Sequence, residues 1–285
     1  MIKIKNKYLT AKIYENGAQI ASIKEGDTEL MWQKDENVWN NYGPVLFPIC
    51  GGLKDDKYTH NGETYELCKH GFAKTTEFDV KLLSKSSVTL SMKSNEETRA
   101  VYPFDFKLDV TFTLLKKQML VEYAVKNTGN DTMYFSIGSH EGYICEGTIE
   151  DYDIIFPQKE TLDSVILHGN LLSNETKPIL KSSKQLPIYE EYFEHDSLVF
   201  KNLNSRSLVL RNRKNGKRIG LNFPGCDYFV IWHKVGAKYI CLEPWTGIPD
   251  SEDFSGELRE KEGIIALKKG RQYRKTHKIT VLPQY

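Results

Sequence analysis

Phe106-Lys107-Leu108-Asp109-Val110-Thr111-Phe112-Thr113-Leu114 alternates apolar and polar residues without a break. Side chains of an extended chain point to opposite faces with a period of two, so the run predicts a strand with one face buried and the other in water. The polar turn Lys116-Lys117-Gln118 follows, and residues 120–126 then put Val121, Tyr123 and Val125 on one side. After an Asn-Thr-Gly-Asn-Asp turn at 127–131 comes Met133-Tyr134-Phe135-Ser136-Ile137, and the three runs together read as an antiparallel meander.

Similar short runs occur at 2–4, 11–14, 19–24, 88–92, 207–211, 218–223, 228–233, 239–242 and 278–282, with turn signals such as Asn16-Gly17, Asn61-Gly62 and Asn215-Gly216 between many of them. Helical spacing is not sustained anywhere. Residues 95–101 fit one or two helical turns, and 171–186 is too polar and too rich in Ser and Lys for a core helix. The fold class is therefore all-β, and so many strands need two sheets to bury one face each, which makes a large antiparallel β-sandwich. With no Pro/Ser/Gly-rich linker and no fixed repeat, residues 1–285 are expected to form one domain.

Composition removes several classes of function. Lys+Arg 39 against Asp+Glu 38 leaves a net charge of +1, too weak a field to gather a nucleic-acid backbone or an anionic membrane. The longest apolar stretch, 44–50, is far short of the roughly 20 residues a membrane span needs. Residues 1–7 alternate apolar and charged side chains and read as a first strand rather than a signal peptide. The five cysteines, Cys50, Cys68, Cys145, Cys226 and Cys241, are odd in number and form no CxxC pair, which argues against a disulfide framework and a zinc ribbon. A cytoplasmic protein without a demanded metal or cofactor is the expectation.

No Walker, GxGxxG, HExxH or GxSxG signature is present. What stands out is polar residues in apolar context: His70 in Cys68-Lys69-His70-Gly71-Phe72-Ala73, His140 after Phe135-Ser136-Ile137-Gly138-Ser139, and Glu243 in Ile240-Cys241-Leu242-Glu243-Pro244-Trp245. A carboxyl at a strand end beside an aromatic ring is poorly solvated, which raises its pKa and suits a general base. Gly138 would let the backbone bend toward a ligand at His140. Taken singly, each also has a plain structural reading, as a salt-bridged Glu, a buried His or a loop His. Taken together, two imidazoles and a carboxylate on a β scaffold can move a proton between two oxygens of a pyranose, with Trp rings to stack on its face. Of the tryptophans, Trp232 or Trp245 is expected to line that face. A nucleophilic Cys68 or Cys241 lacks any supporting local context.

The ordered set Pro44-Val45-Leu46-Phe47-Pro48, His70-Gly71-Phe72-Ala73, Tyr102-Pro103-Phe104, Phe135 to His140, the segment 193–200 with Asp196, and Glu243-Pro244-Trp245 resembles the aldose 1-epimerase (galactose mutarotase-like) family, in a bacterial branch close to its hexose-phosphate-type members. The resemblance implies a single supersandwich with a free sugar on its concave face. It implies Glu243 as general base at the anomeric hydroxyl, His140 as general acid at the ring oxygen, and His70 as a stabiliser of charge on that oxygen. Asp196 would accept a substrate hydroxyl. Many relatives have Gly-Arg where this chain reads Gly51-Gly52-Leu53-Lys54, so the arginine is missing at Gly52. Lys74 stands where phosphosugar relatives carry arginine, and His140 is followed by Glu141 rather than proline, a carboxylate expected to raise the imidazole pKa. Three readings remain open: a mutarotase of neutral aldohexoses, a hexose-6-phosphate 1-epimerase with Lys54 and Lys74 at the rim, and a sugar-binding protein without turnover. The oligomeric state is open as well.

Overall fold

The structure, a computed structural model, describes residues 1–284. The alternation at 106–114 becomes the strand Phe106–Leu115, with Phe106, Leu108, Val110, Phe112 and Leu114 buried. Each such apolar side chain removed from water contributes about 1.5–3 kcal/mol. Its neighbour is Gln118–Asn127, antiparallel, with Tyr123 opposite Val110 and Val121 opposite Phe112.

The third run corrects the meander. Met133–Phe135 pairs with Ile265–Leu267 in a separate two-stranded sheet, and the other edge of Gln118–Asn127 is taken by Gln272–Leu282. Asn127 turns the chain away: its buried side-chain amide donates to the carbonyls of Asp131 and Leu267, both at 2.7 Å. A hairpin return would have to break both bonds.

The main sheet has thirteen strands. From one edge its order is Gly142–Ile144, Tyr239–Trp245, Tyr228–Trp232, Leu198–Phe200, Tyr152–His168, Ser207–Asn212, Arg218–Asn222, Gln272–Leu282, Gln118–Asn127, Phe106–Leu115, Ser87–Lys93 and Asp79–Leu83, with Leu171–Pro187 hung on Tyr152–His168. A four-stranded sheet comprises Ile2–Lys5, Leu9–Tyr14, Gln19–Glu25 and Thr28–Glu29. The strand ladders are antiparallel, and Ile4, Leu9, Ala11 and Ile13 of the smaller sheet share one continuous apolar core with Phe106, Phe112, Val121 and Ile279 of the larger.

The helical turns expected near 95–101 form at Glu96–Val101, where Asn95 Oδ1 accepts from Thr98 N–H at 2.8 Å and Thr98 Oγ1 accepts from Asn95 N–H at 2.8 Å. The long hairpin of Tyr152–His168 and Leu171–Pro187 is the largest element that the sequence pattern does not announce. Among the described residues, no helix is long and apolar enough to cross a membrane.

Candidate active site

Three adjacent strands, Leu198–Phe200, Tyr228–Trp232 and Tyr239–Trp245, form the floor of a cavity of about 370 Å³. Trp232, Glu243 and Trp245 rise from it, with His70, His140 and Asp196 brought in by loops. Six of the seven sequence-selected residues thus meet in one cavity. Lys74 does not: its ammonium donates to the carbonyl of Lys69 at 2.6 Å, bracing the loop from behind.

Glu243 lies within its strand rather than at the end, paired with Val230, and is 1% exposed. Its Oε1 stands 3.4 Å from His140 Nδ1, and Glu243 Oε2 and His140 Nδ1 are buried without a hydrogen-bond partner. Burial holds the Glu243 carboxyl well above the usual carboxylate range, against the opposing pull of the Lys69 ammonium; Glu141 and Asp196 add to the upward push. Burial likewise lowers His140 from 6.5 to about 4. The expectation that Glu141 would raise His140 therefore fails in sum. The Glu141 carboxylate does push upward, but desolvation outweighs it, and Glu141 Oε1 is engaged at 2.9 Å by His277 Nε2.

His70 is fixed by its loop. Its backbone sits at φ +69°, its N–H donates to Gly51 O at 2.8 Å, and the N–H of Gly51 donates back to His70 Nδ1 at 3.1 Å. A ring nitrogen that accepts carries no proton, so the neutral ring has its N–H on Nε2. Burial, then the neighbouring His140, Lys69 and Lys74, lowers its pKa well below 6.5, which keeps that form. The following Gly71, at φ +70°, is obligatory, because a Cβ there would run into the Phe47 carbonyl.

Aromatic rings wall the cavity. Trp245 is locked by its Nε1–H on Ser139 O at 3.0 Å and meets the His70 ring edge-on at 5.5 Å. Trp232 meets His140 edge-on at 5.6 Å, and Trp39 lies against His140 at 5.0 Å. Both Trp232 and Trp245 line the cavity, where one was expected. Gly138 makes room for the Trp245 ring, which a Cβ would strike.

Trp39, Lys69 and Asn170 also line the cavity and were not selected from the sequence. Lys69 carried a signal, since it adjoins His70; its ammonium is 3.7 Å from Asp196 Oδ2. Asn170 sits in the turn between Tyr152–His168 and Leu171–Pro187, and only the fold carries that turn to the site. The turn is clasped to the loop beyond Pro249: Leu172 N–H donates to Asp250 O at 2.8 Å, and Glu252 N–H donates to Leu172 O at 3.0 Å. His168 and Glu252 meet at 2.9 Å.

One ligand atom from each of His140, Cys241 and Glu243 lies within 4.8 Å of the others, a set able to hold a cation. Without one, the cavity offers a proton-holding pair, a fixed imidazole donor, one balanced Lys–Asp pair and aromatic walls. That arrangement suits proton transfer on a small polyhydroxylated ligand.

The comparisons with known proteins agree with the geometry. The aldose 1-epimerase family model matches residues 1–280. The plasmid-borne protein LacX of Lactococcus lactis subsp. lactis is 33% identical over 99% of this chain and 99% of its own. A galactose mutarotase related enzyme from Lactobacillus acidophilus superposes with TM-score 0.92 at 32% identity, over 99% of this chain and 97% of that one. A galactose mutarotase-like protein from Lactobacillus casei does so with TM-score 0.93 at 28% identity, over 99% and 100%. With a match of this extent and these groups gathered in its cavity, the chain belongs to the aldose 1-epimerase family.

Proposed function

We propose that the protein, acting as one domain, is a mutarotase that interconverts the α and β anomers of a neutral aldohexose with its own side chains as acid and base. The observation that carries this reading is the approach of Glu243 Oε1 to His140 Nδ1, 3.4 Å apart, in two residues that line a sugar-sized cavity. Carboxylic acid with neutral imidazole, and carboxylate with imidazolium, differ only in the position of one proton. Burial favours the first in the free protein. A sugar hydroxyl donating to Glu243 and a ring oxygen accepting from His140 favour the second.

From that state Glu243 takes the proton of the anomeric hydroxyl. The oxygen's electron pair forms the aldehyde C=O, the bond from C1 to the ring oxygen breaks, and that oxygen takes the proton of His140. Nε2–H of His70 is the donor for charge that develops there. Rotation about C1–C2 presents the other aldehyde face, and the proton transfers run backward. Asp196, Lys69 and Asn170 are assigned to the remaining hydroxyls, and Trp39, Trp232 and Trp245 to the sugar's apolar face.

A 6-phosphate is disfavoured by the lysines. Lys54 Nζ donates to Glu252 O at 2.7 Å and Lys74 to Lys69 O, neither into the cavity, and Lys69 faces Asp196. Among the described residues lining the cavity, Lys69 is the one lysine or arginine, and a dianion would have to compete with Asp196 for it. The reading without turnover is disfavoured by the direct approach of a carboxyl to an imidazole in the cavity, a proton-exchanging pair that binding alone does not require. Five free cysteines fit a reducing compartment such as the cytoplasm. The test is mutarotation of glucose, galactose and glucose 6-phosphate by saturation-exchange NMR. Acceleration of neutral sugars is expected; acceleration confined to the phosphate would reverse the choice.

A further inference from the structure

We propose that His140, Cys241 and Glu243 form a binding site for a zinc ion at the cavity floor, and that the ion switches the acid–base pair off. The sequence hides this set, because His140 lies far along the chain from the other two. The fold assembles it. Cys241 and Glu243 are two apart on Tyr239–Trp245, so their side chains share a face, and His140 meets that face from the loop before Gly142–Ile144.

The donor set is one nitrogen, one sulfur and one carboxylate oxygen, each a donor Zn²⁺ takes, and three protein ligands leave a fourth tetrahedral position open. Bonds of 2.0–2.3 Å in a tetrahedron put ligand atoms roughly 3.3–3.7 Å apart. His140 Nδ1 and Glu243 Oε1 are already 3.4 Å apart, and all three donors fall within 4.8 Å, a gap that small side-chain rotations close. A second observation points to a ligand here: His140 Nδ1 and Glu243 Oε2 are both buried and both lack any hydrogen-bond partner. Access is from the cavity, which His140 and Glu243 line, and the open position faces the sugar. The thiol of Cys241 is wholly buried and holds its proton in the free protein. On binding, the Cys241 S–H bond breaks, the sulfur pair forms the bond to zinc, and the proton leaves to solvent. No electron changes hands.

Zinc would occupy the lone pairs that the reaction needs on Glu243 and His140, so the ion and turnover exclude each other. This consequence rests on the mutarotase reading, whereas the site itself does not. Two measurements separate them. Co²⁺ added to the metal-free protein is expected to give a near-ultraviolet thiolate-to-cobalt charge-transfer band that persists in Cys68→Ser, which lacks the exposed thiol, and vanishes in Cys241→Ser. That readout needs no activity. Zn²⁺ is then expected to suppress mutarotation reversibly, with a chelator restoring it. Cys241→Ser should require on the order of 100-fold more zinc, since even losing a group behind a ligand costs 10–100-fold in affinity. Absence of a cobalt–thiolate band in the wild type, or a band lost with Cys68 instead, overturns the site whatever the variants' stability. Equal zinc sensitivity of wild type and Cys241→Ser overturns it too.

Discussion

A methyl group placed on Gly52 would stand 2.8 Å from Asn170 Cβ and 2.9 Å from Asn170 O. The hairpin turn therefore occupies the space in which a side chain at position 52 would begin, and the arginine that the family resemblance would place there has no room in this chain. Gly52→Arg is expected to lose about 1–3 kcal/mol of stability, the usual range for overpacking. Asn170→Gly in the same chain should recover part of that loss. Urea unfolding of the two variants checks it, and additive effects would mean that the positions do not share space.

On the proposed mechanism the Glu243–His140 pair works with one proton between its members, which predicts a bell-shaped pH profile for turnover. On the acid side a second proton enters as pH falls toward the His140 value of about 4. On the alkaline side the last proton leaves at the raised Glu243 value, above the ordinary carboxylate 4.5. The measurement is kcat/KM for mutarotation across pH in constant ionic strength. A single limb rising through an ordinary histidine value would contradict the pairing.

Stability should follow the same histidine. His140 is lowered from 6.5 to about 4 by burial, so between those values the unfolded chain binds more protons than the folded one. Its stability contribution is complete above about 6.5 and is lost as pH falls toward 4, a total of about 3 kcal/mol. In His140→Gln the decline over that window should be shallower by a similar amount, read from urea midpoints at several pH values.

The strands that bury one face were legible. Phe106 to Leu114 alternates in sequence and in burial alike, and Tyr239 to Leu242 is apolar because both its faces are covered. The hairpin Leu171–Pro187 was not legible, because most of its residues stay in water and no face imposes alternation. The departure of Met133–Phe135 was hidden for another reason: Asn127 chooses its partners, Asp131 and Leu267, at two very different separations. In the site, His70, His140 and Glu243 were visible as polar residues in apolar runs. Asn170 and Trp39 were not, since an exposed turn and a loop aromatic acquire meaning only when the fold brings them to the cavity.

The hairpin that carries Asn170 is anchored at its base by Asp153, which is fully buried and accepts from Arg211 Nε at 3.0 Å and Nη2 at 2.5 Å, and from Gln185 Nε2 at 2.5 Å. Arg211→Ala removes the charge partner of that carboxylate but leaves Gln185 on it, and because Arg211 is itself partly exposed the change should cost about 1–3 kcal/mol. Thermal unfolding measures this, and Arg211→Lys should restore only part, for want of the two-pronged geometry.

The central claim is that Glu243 is the base. Saturation-exchange NMR of galactose and glucose, wild type beside Glu243→Gln, tests it most directly. The account predicts a fall of about 10²–10⁴-fold in catalysed anomer exchange, with the fold and sugar binding retained. A Glu243→Gln protein that exchanges anomers as fast as the wild type would contradict it.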